Sequence, residues 1–259
     1  MDGTAWEDIR VDKRIYGDKV DIDYARTLDF FENRGGDKKL ESKYNYVLFQ
    51  DDAPEIAIER DRQEKEKIGR LLKWDGEGSV LDIGCGIGRW GESILEKGWK
   101  YVGIDYSEKL LGIAEENLKL FGENKMLLHG SFQEICEVLR CERMEEGFQK
   151  IFINGVMMYI NDTDLEKGLK DILSVCNERC EVYLKESMAV DERLTLNEFY
   201  SDNLSQNYTA IYRGIVEYKR LVDKYFLCNG FEVVDEGSLF DEKLRNRKET
   251  LDYFFVLKR

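Results

Sequence analysis

Histidine and proline are almost missing from this chain, which holds one of each, His129 and Pro54, among 259 residues. A single histidine argues against a His-rich metal site and against a Ser-His-Asp relay. We place His129 as a packed or capping residue rather than a catalytic one. The sequence therefore predicts a protein that binds no metal.

Long apolar runs and paired cysteine motifs are also missing. No apolar segment approaches the length that a membrane-spanning helix needs. None of the six cysteines forms a C-x-x-C motif, and residues 1–20 are charged throughout rather than secretory. We expect reduced thiols in a cytoplasmic protein that does not associate with a membrane.

Basic residues are fewer than acidic ones, 39 against 53, which gives a formal net charge of −14 and a sequence pI near 4.8. Most of such a surface repels a phosphate backbone, so we expect no nucleic-acid partner. Small neutral or cationic acceptors fit this charge better, although a local basic pocket could still hold an anion. The sequence indicates no particular oligomeric state.

The chain divides into two parts. Residues 1–75 predict a mostly helical N-terminal cap over the active site. Residues 1–53 of this cap are rich in Tyr, Arg and Asp, and Pro54 opens a helix. Residues 76–259 alternate between strand and helix patterns and predict one α/β domain.

Seven short apolar segments of this second part predict strands. Helices are expected after a glycine-rich loop, after Ser107 as an N-cap, from a capping box at residues 163–166, and from Gly214 to Leu227. The alternation predicts a doubly wound parallel sheet, and the last two strands, joined without a helix, predict an antiparallel strand at its edge. The strand segments are SVLDI, YVGIDYS, KMLLHGS, KIFINGVMM, CEVYLKES, FEVVDEGSLF and LDYFFVLKR.

The glycine-rich loop LDIGCGIGRWG, residues 81–91, fits two nucleotide-binding patterns. From Gly84 the spacing is G-x-G-x-G, whereas from Gly86 it is the G-x-G-x-x-G of dinucleotide sites. The first glycine should follow the strand directly, and the strand ends at Ile83, which favours Gly84. Gly91 is then a helix–strand packing residue.

A carboxylate follows the loop at the end of the second strand. Asp105 stands where both hydroxyls of a ribose could donate to it, in NAD and in S-adenosylmethionine alike. Three further features separate the two cofactors: Asp82 in D-x-G-x-G-x-G, the long segment before the first strand, and the closing strand pair. With VLDIGCGIGRW, GIDYS and INGVMMYIND, the sequence resembles the class I S-adenosylmethionine-dependent methyltransferases.

This resemblance implies a Rossmann-like seven-stranded sheet, S-adenosylmethionine as cofactor, and a set of cofactor-binding residues. Arg89 would hold the methionine carboxylate, Asp105 the ribose and Tyr106 the adenine. An acid that the family often places after strand three is replaced here by Ser131 and Phe132, so the adenine contact stays open. The implied cofactor-binding set is Gly84, Gly86, Gly88, Arg89, Asp105, Tyr106, Ser131, Phe132 and Asn154.

Candidate catalytic and acceptor-binding residues come from the second half of the chain. Tyr159 stands where several relatives have a histidine, and Glu186 ends strand five, where it could act as a base or bind an ammonium. A mixture of polar and aromatic residues after strand five suits a hydroxyl-rich ligand; its candidates are Tyr200, Tyr208, Tyr212 and Arg213. Cap residues that could close over the cofactor are Trp6, Arg10, Arg14, Tyr16 and Tyr46.

The expected function is methyl transfer to a small polar acceptor. We favour O-methylation of a sugar or sugar-linked phosphoryl precursor, because the chain is similar to bacterial methyltransferases of surface-polysaccharide biosynthesis. Its single proline excludes the [DNS]-P-P-[YFW] motif of nucleic-acid amino-methyltransferases. Alternatives are N-methylation of a small molecule or peptide and a noncatalytic cofactor-binding subunit. An NAD-dependent oxidoreductase is disfavoured, because the sequence contains no Tyr-x-x-x-Lys catalytic pair.

Overall fold

The protein, described from a computed structural model over residues 14–36, 40–144, 146–245 and 247–259, has one large sheet flanked by helices. The strands are β1 (Arg14–Tyr16), β2 (Ser79–Ile83), β3 (Lys100–Asp105), β4 (Lys125–His129), β5 (Phe148–Asn154), β6 (Cys176–Ala189), β7 (Leu194–Ser201), β8 (Gln206–Tyr212), β9 (Glu232–Ser238) and β10 (Thr250–Lys258). The helices are α1 (Tyr24–Arg34), α2 (Asn45–Leu48), α3 (Pro54–Leu71), α4 (Arg89–Leu95), α5 (Glu108–Asn117), α6 (Ile135–Cys141), α7 (Asp162–Ser174) and α8 (Ile215–Tyr225).

The large sheet has seven strands in the order β4-β3-β2-β5-β6-β10-β9. The strands from β4 to β6 pair in parallel, whereas β10 runs antiparallel to both of its neighbours. This arrangement confirms the predicted doubly wound, Rossmann-like α/β fold with an antiparallel strand towards one edge.

Strand residues of the large sheet alternate between two apolar cores. Leu81 and Ile83 of β2 face the core that α6, α7 and α8 close. Val80 faces the other core, against α3 and α4. Strands buried on both faces are typical of parallel sheets covered by helices. The carboxyl ends of β2, β3 and β5 lie along one edge, and the loops that follow them carry the site described below.

Two predicted helix starts agree with the structure. Pro54 is the first residue of α3, where its missing N–H leaves no helical hydrogen bond unmade. Ser107 caps α5, because its hydroxyl accepts a hydrogen bond from the Leu110 amide at 3.2 Å.

The start of α7 differs from the predicted capping box. The helix begins at Asp162, and its N-cap is Asn161 rather than Thr163. The Asn161 amide bonds across the chain instead, since its Oδ1 accepts from the Ile22 amide at 2.8 Å and its Nδ2 donates to the Ile22 carbonyl at 3.1 Å. A tertiary contact thus takes the place of a local cap.

A second sheet, β1-β7-β8, lies outside the large one and was not predicted. Its hairpin joins β7 to β8, and Arg14 of β1 pairs with Leu196 of β7. The register shifts between Leu196 and Phe199, and Glu198 between them has a φ of 53°. This bulge breaks the two-residue alternation by which a strand is recognised.

Within the described ranges, no helix is long and apolar enough to span a membrane. Over the same residues, no group of three or more His, Cys, Asp or Glu side chains could hold a metal ion.

Candidate functional site

A cavity of about 740 Å³ opens at the carboxyl edge of the large sheet. One part of its wall is the glycine loop and the ends of β3 and β5. Another part comes from residues 47–53, the β7–β8 hairpin and the segment leading into β10. The cavity is large enough for a nucleoside-sized ligand together with a small second molecule.

The glycine loop turns sharply after β2. Gly84, Gly86 and Gly88 have φ values of 68°, 53° and 71°, a left-handed region that favours glycine. A Cβ on Gly84 would lie 2.1 Å from Val156 Cγ2. Gly91 is different, because a Cβ there would lie 2.7 Å from Leu118 and 3.0 Å from Tyr101, which agrees with its predicted packing role.

Asp105 joins this loop to the end of β3. Its Oδ2 accepts the Gly86 amide at 2.8 Å and its Oδ1 the Ser107 amide at 2.9 Å. Burial raises the pKa of Asp105 to about 6, while these amides act in the opposite direction. A carboxylate has about four acceptor positions, so two more donors can still bind. Two vicinal ribose hydroxyls fit that capacity.

Asp82, at the end of β2, also reaches the cavity wall. Its Oδ2 accepts the Tyr101 hydroxyl at 2.7 Å. Burial raises the pKa of Asp82 to about 7, although Tyr101 and Arg89 lower it. The sequence indicated this residue only as part of the motif, and in the structure it lies within β2, one residue before the strand ends.

Arg89 lies on the wall but already has two acidic partners from α3. Its guanidinium is 2.9 Å from Asp61 and 2.8 Å from Glu64. Burial alone would lower the pKa of Arg89, yet these carboxylates hold it above its usual range. A methionine carboxylate would therefore share this guanidinium with the protein's own acids.

The predicted adenine contacts differ in what they offer. The Tyr106 hydroxyl is buried and has no hydrogen-bond partner in the described chain. Ser131 Oγ donates to Glu134 at 2.6 Å. The Phe132 ring packs into the core against Gly168, where a Cβ would lie 2.1 Å from it. Ser131 and Phe132 both line the cavity, but the Phe132 ring itself belongs to the core.

Asn154 ends β5 on the same wall. With its amide oxygen turned towards the indole of Trp90, that oxygen accepts from Nε1 at 3.1 Å. The orphaned Tyr106 hydroxyl, the unused acceptor positions of Asp105 and the glycine loop together fit a nucleoside cofactor.

Three further tyrosines of the cavity wall meet one another. The Tyr159 and Tyr208 hydroxyls are 2.7 Å apart, and the Tyr212 hydroxyl lies 3.4 Å from that of Tyr208. The Tyr159 ring also packs edge-on against Phe31, with 5.0 Å between centroids. Burial raises the pKa of Tyr159 and Tyr208 well above the usual range. These hydroxyls are therefore neutral donors near pH 7, and Tyr159 is unsuited to act as a base.

Glu186 does not line the cavity, which corrects its expected role as base or ammonium anchor. Its Oε1 accepts the amides of Val156 and Met157, each at 2.9 Å, and its Oε2 accepts that of Met158 at 3.2 Å. Burial raises the pKa of Glu186 to about 7, against the effect of these amides. Glu186 fixes the turn after β5 and is a structural residue.

Arg213 is likewise buried away from the cavity, which corrects its expected role in acceptor binding. Its guanidinium donates to the Met157 carbonyl at 2.8 Å, to the Ile160 carbonyl at 2.6 Å and to Asp162 Oδ1 at 2.6 Å. These partners occupy most of its five N–H groups. Arg213 ties the 157–162 segment to the end of β8.

Strand alternation brings Lys185 and Ser187, the neighbours of Glu186, to the cavity instead. Both contact Asp252 of β10, with Lys185 Nζ at 3.3 Å and Ser187 Oγ at 3.1 Å from its Oδ1. Burial would raise the pKa of Asp252, but Arg60 and Lys185 lower it. The two-residue period of β6 was the available signal, since it separates Glu186 from its neighbours.

The remaining predicted residues are spread around the site. Tyr200 is 53% exposed and lines the cavity, as does Arg14, which pairs with Glu249 at 2.8 Å. Tyr16 and Tyr46 do not line it. Trp6 and Arg10 lie outside the described residues.

Comparison with known proteins indicates which kind of reaction this site supports. Residues 80–179 match the family model described as a methyltransferase domain. A ubiquinone biosynthesis O-methyltransferase of Rhizobium etli is 25% identical over 194 residues, which cover 70% of this chain and 72% of that protein.

Solved structures share the fold. A SAM-dependent methyltransferase from Leishmania major has a TM-score of 0.60 at 19% identity, covering 90% of this chain and 82% of its own. Phosphoethanolamine N-methyltransferase 1 of Haemonchus contortus, solved with phosphoethanolamine and S-adenosylhomocysteine, has a TM-score of 0.66 at 17% identity. The match covers 91% of this chain and 48% of that one. Together these similarities support the assignment of the chain as a class I S-adenosylmethionine-dependent methyltransferase with S-adenosylmethionine as its cofactor.

Proposed function

We propose that this enzyme methylates a small polar acceptor, at an oxygen of a sugar or of a sugar-linked phosphoryl group. The observation that carries the proposal is that the cavity of about 740 Å³ is lined both by the glycine loop with Asp105 and by the tyrosines of the β7–β8 hairpin. A role in surface-polysaccharide biosynthesis and a cytoplasmic location are predictions from the sequence.

The cofactor would lie along the glycine loop. S-adenosylmethionine supplies an activated methyl group on a sulfonium. In this proposal Asp105 accepts both ribose hydroxyls, Tyr106 contacts the adenine, and the backbone of Ser131 and Phe132 faces the base. Asn154 would contact the cofactor near its sulfonium, and Arg89 would bind the methionine carboxylate while keeping its contact with Asp61.

Residues 1–75 act in this proposal as a cap on the methyltransferase domain of residues 76–259. Val47 supports this, since a Cβ on Gly86 would lie 2.8 Å from its side chain. Phe49 and Asp51 line the cavity. The Ile22–Asn161 hydrogen bonds and the 2.6 Å contact of the Tyr24 hydroxyl with Asp164 attach the cap to α7. A closed cap would exclude water and hold the acceptor in line.

Neither of the two predicted catalytic residues is suited to act as a base. Tyr159 stays protonated near neutrality, and Glu186 lies off the wall. An acceptor oxygen that is already ionised, such as one of a phosphoryl group, needs no proton removed by the protein. This favours the sugar-linked phosphoryl branch over a neutral hydroxyl.

Amino-group methylation is the second candidate. The Haemonchus contortus structure named above holds phosphoethanolamine, and an amine acceptor also needs no strong base once it is unprotonated. A cationic ammonium is less suited to this wall, because Arg247 lies over the rings of Phe199 and Tyr208.

Calorimetry and a transfer assay test the proposal together. We expect S-adenosylmethionine to bind and NAD not to bind, whereas binding of NAD alone would contradict the cofactor assignment. Methyl-labelled cofactor is then incubated with sugar phosphates, unphosphorylated sugars and primary amines. Transfer to sugar phosphates supports the proposal, transfer to amines alone supports the second candidate, and transfer to neither overturns both.

A further inference from the structure

Arg247 stands apart from the other described cations of the cavity wall. Arg14 pairs with Glu249, Lys185 with Asp252, and Arg89 with Asp61. No acidic side chain lies within ion-pair distance of Arg247 in the part of the chain that the structure describes. In a protein with a net charge of −14, a half-buried arginine without an acidic partner is unexpected.

The surroundings of Arg247 are aromatic. Its guanidinium carbon lies 5.9 Å from the ring centroid of Phe199 and 5.9 Å from that of Tyr208. Both rings line the cavity. Ring faces hold the cation in place but leave its N–H donors free to bind a ligand. Glu249, an acid close to it in sequence, forms its ion pair with Arg14, and Arg247 acts on Glu249 only through its charge, which helps to lower the pKa of that carboxyl.

The neighbouring tyrosines supply a further donor. Tyr159, Tyr208 and Tyr212 carry three hydroxyl protons and make two mutual hydrogen bonds, so one proton is left over whichever way the bonds run. Because these groups are neutral near pH 7, the remaining hydroxyl can donate a hydrogen bond to a ligand. A neutral tyrosine cannot act as a base that takes a proton from the ligand.

A guanidinium with free N–H groups beside a hydroxyl donor matches the chemistry of an oxyanion. We propose that Arg247 and the Tyr159–Tyr208–Tyr212 cluster form a subsite for an anionic group of the acceptor, a phosphoryl or a carboxylate. This inference rests on the proposed function, since it assumes that the acceptor enters this cavity.

Anion binding to the full chain tests the subsite. Inorganic phosphate and acetate are titrated by calorimetry into protein saturated with S-adenosylhomocysteine, at constant ionic strength set with chloride. Wild type and Arg247→Gln are compared, with Lys248→Gln as the matched control, because Lys248 is exposed and its loss makes the same change in charge. We expect at least one anion to bind wild type and Lys248→Gln equally, and Arg247→Gln about tenfold or more weakly.

Each titration either supports or overturns the proposed subsite. Phosphate binding that depends on Arg247 indicates a phosphoryl acceptor, and acetate binding that depends on it indicates a carboxylate. Failure of both anions to bind wild type, or equal binding by Arg247→Gln, overturns the subsite. Tyr208→Phe should weaken the same anion by roughly threefold, and unchanged binding would remove the tyrosines from it.

The nucleoside titration that precedes each anion titration separates this inference from the proposed function. Protein that does not bind S-adenosylhomocysteine contradicts the function itself. Protein that binds S-adenosylhomocysteine but no anion contradicts only the subsite.

Discussion

The two walls of the cavity are built in opposite ways. The cofactor wall comes mostly from residues 82–106, which supply the glycine loop and the carboxylates of Asp82 and Asp105 at the ends of two adjacent strands. The acceptor wall uses side chains from β1, the β7–β8 hairpin and β10, which are far apart in the chain. A wall made by one short segment can be recognised from its motif, whereas a wall made by distant segments depends on how the chain folds.

The largest expected effect concerns a residue that supports the acceptor wall without lining it. Arg213→Ala removes a buried guanidinium from Asp162 and from two carbonyls, which should lower the free energy of unfolding by about 3–5 kcal/mol. Urea denaturation measures it, with the exposed Arg220→Ala on α8 expected to stay within about 0.5 kcal/mol of wild type. Unchanged stability with weaker acceptor binding would return Arg213 to the substrate-binding set.

The cofactor wall should be sensitive to any side chain added to its glycine loop. Gly84→Ala places a Cβ 2.1 Å from Val156 at a φ of 68°, which should destabilise the fold by about 2–4 kcal/mol and reduce binding of S-adenosylhomocysteine. Gly112→Ala is the control, because this helical glycine has open space around it and should gain about 0.5–1 kcal/mol. Similar stability in the two variants would contradict the strained loop.

Asp105 tests the side-chain part of the same wall. Asp105→Ala should weaken S-adenosylmethionine binding by about 1–3 kcal/mol, measured by calorimetry, because two ribose hydroxyls lose their acceptor. The exposed Asp223→Ala on α8 should bind the cofactor as wild type does. Equal affinity of Asp105→Ala and wild type would refute the ribose assignment.

The pKa of Asp105 adds a pH dependence to this test. Since burial raises this pKa to about 6, the carboxyl of the free protein gains its proton as pH falls through that value. A protonated carboxyl is a poorer acceptor, so wild-type affinity should fall from pH 7 to pH 5. Asp105→Ala should lose this pH dependence, and a persistent slope would assign it to another group.

The smallest effect is expected at the acceptor wall itself. Tyr159→Phe should lower kcat by roughly tenfold or less and leave S-adenosylhomocysteine affinity unchanged, since it removes one orienting hydrogen bond. Tyr225→Phe, which loses a comparable 2.7 Å bond to Glu166, is the control and should keep full activity. Because the Tyr159 pKa is raised, its hydroxyl stays protonated below about pH 9. We therefore expect no change in rate over that pH range from ionisation of Tyr159. A loss of several hundredfold in Tyr159→Phe would indicate a larger role.

Sequence reasoning predicted the large sheet because its signals are local. The apolar strands, the glycine loop and Asp105 all lie within short windows, and the strand end at Ile83 fixed the register of the loop. The same reasoning was wrong for Glu186 and Arg213. Their residue types suit a site, but their partners, the 156–158 amides and Asp162, are distant in sequence.

Other residues of the site were not predicted for the same reason, namely that their neighbours are distant in sequence. Lys185 and Ser187 reach the wall through their strand face, and Asp252 lies beside them only because β10 pairs with β6, with Ser187 opposite Asp252. Arg247 was not singled out, since an arginine in a charged segment gives no local sign of its aromatic neighbours. Long-range pairing, which no short window contains, therefore decides the acceptor wall.

The place of β10 in the large sheet also predicts the order in which the two walls form during folding. β10 follows β6 and β9 in the chain yet lies between them, so β9 has no neighbour in this sheet until β10 is in place. The cofactor wall needs only β2, β3 and β5, whereas Asp252 of the acceptor wall comes with β10 itself. Hydrogen exchange during refolding should therefore protect the first three strands before β9 and β10. A folding molecule would be able to hold its methyl donor before it can recognise what receives the methyl.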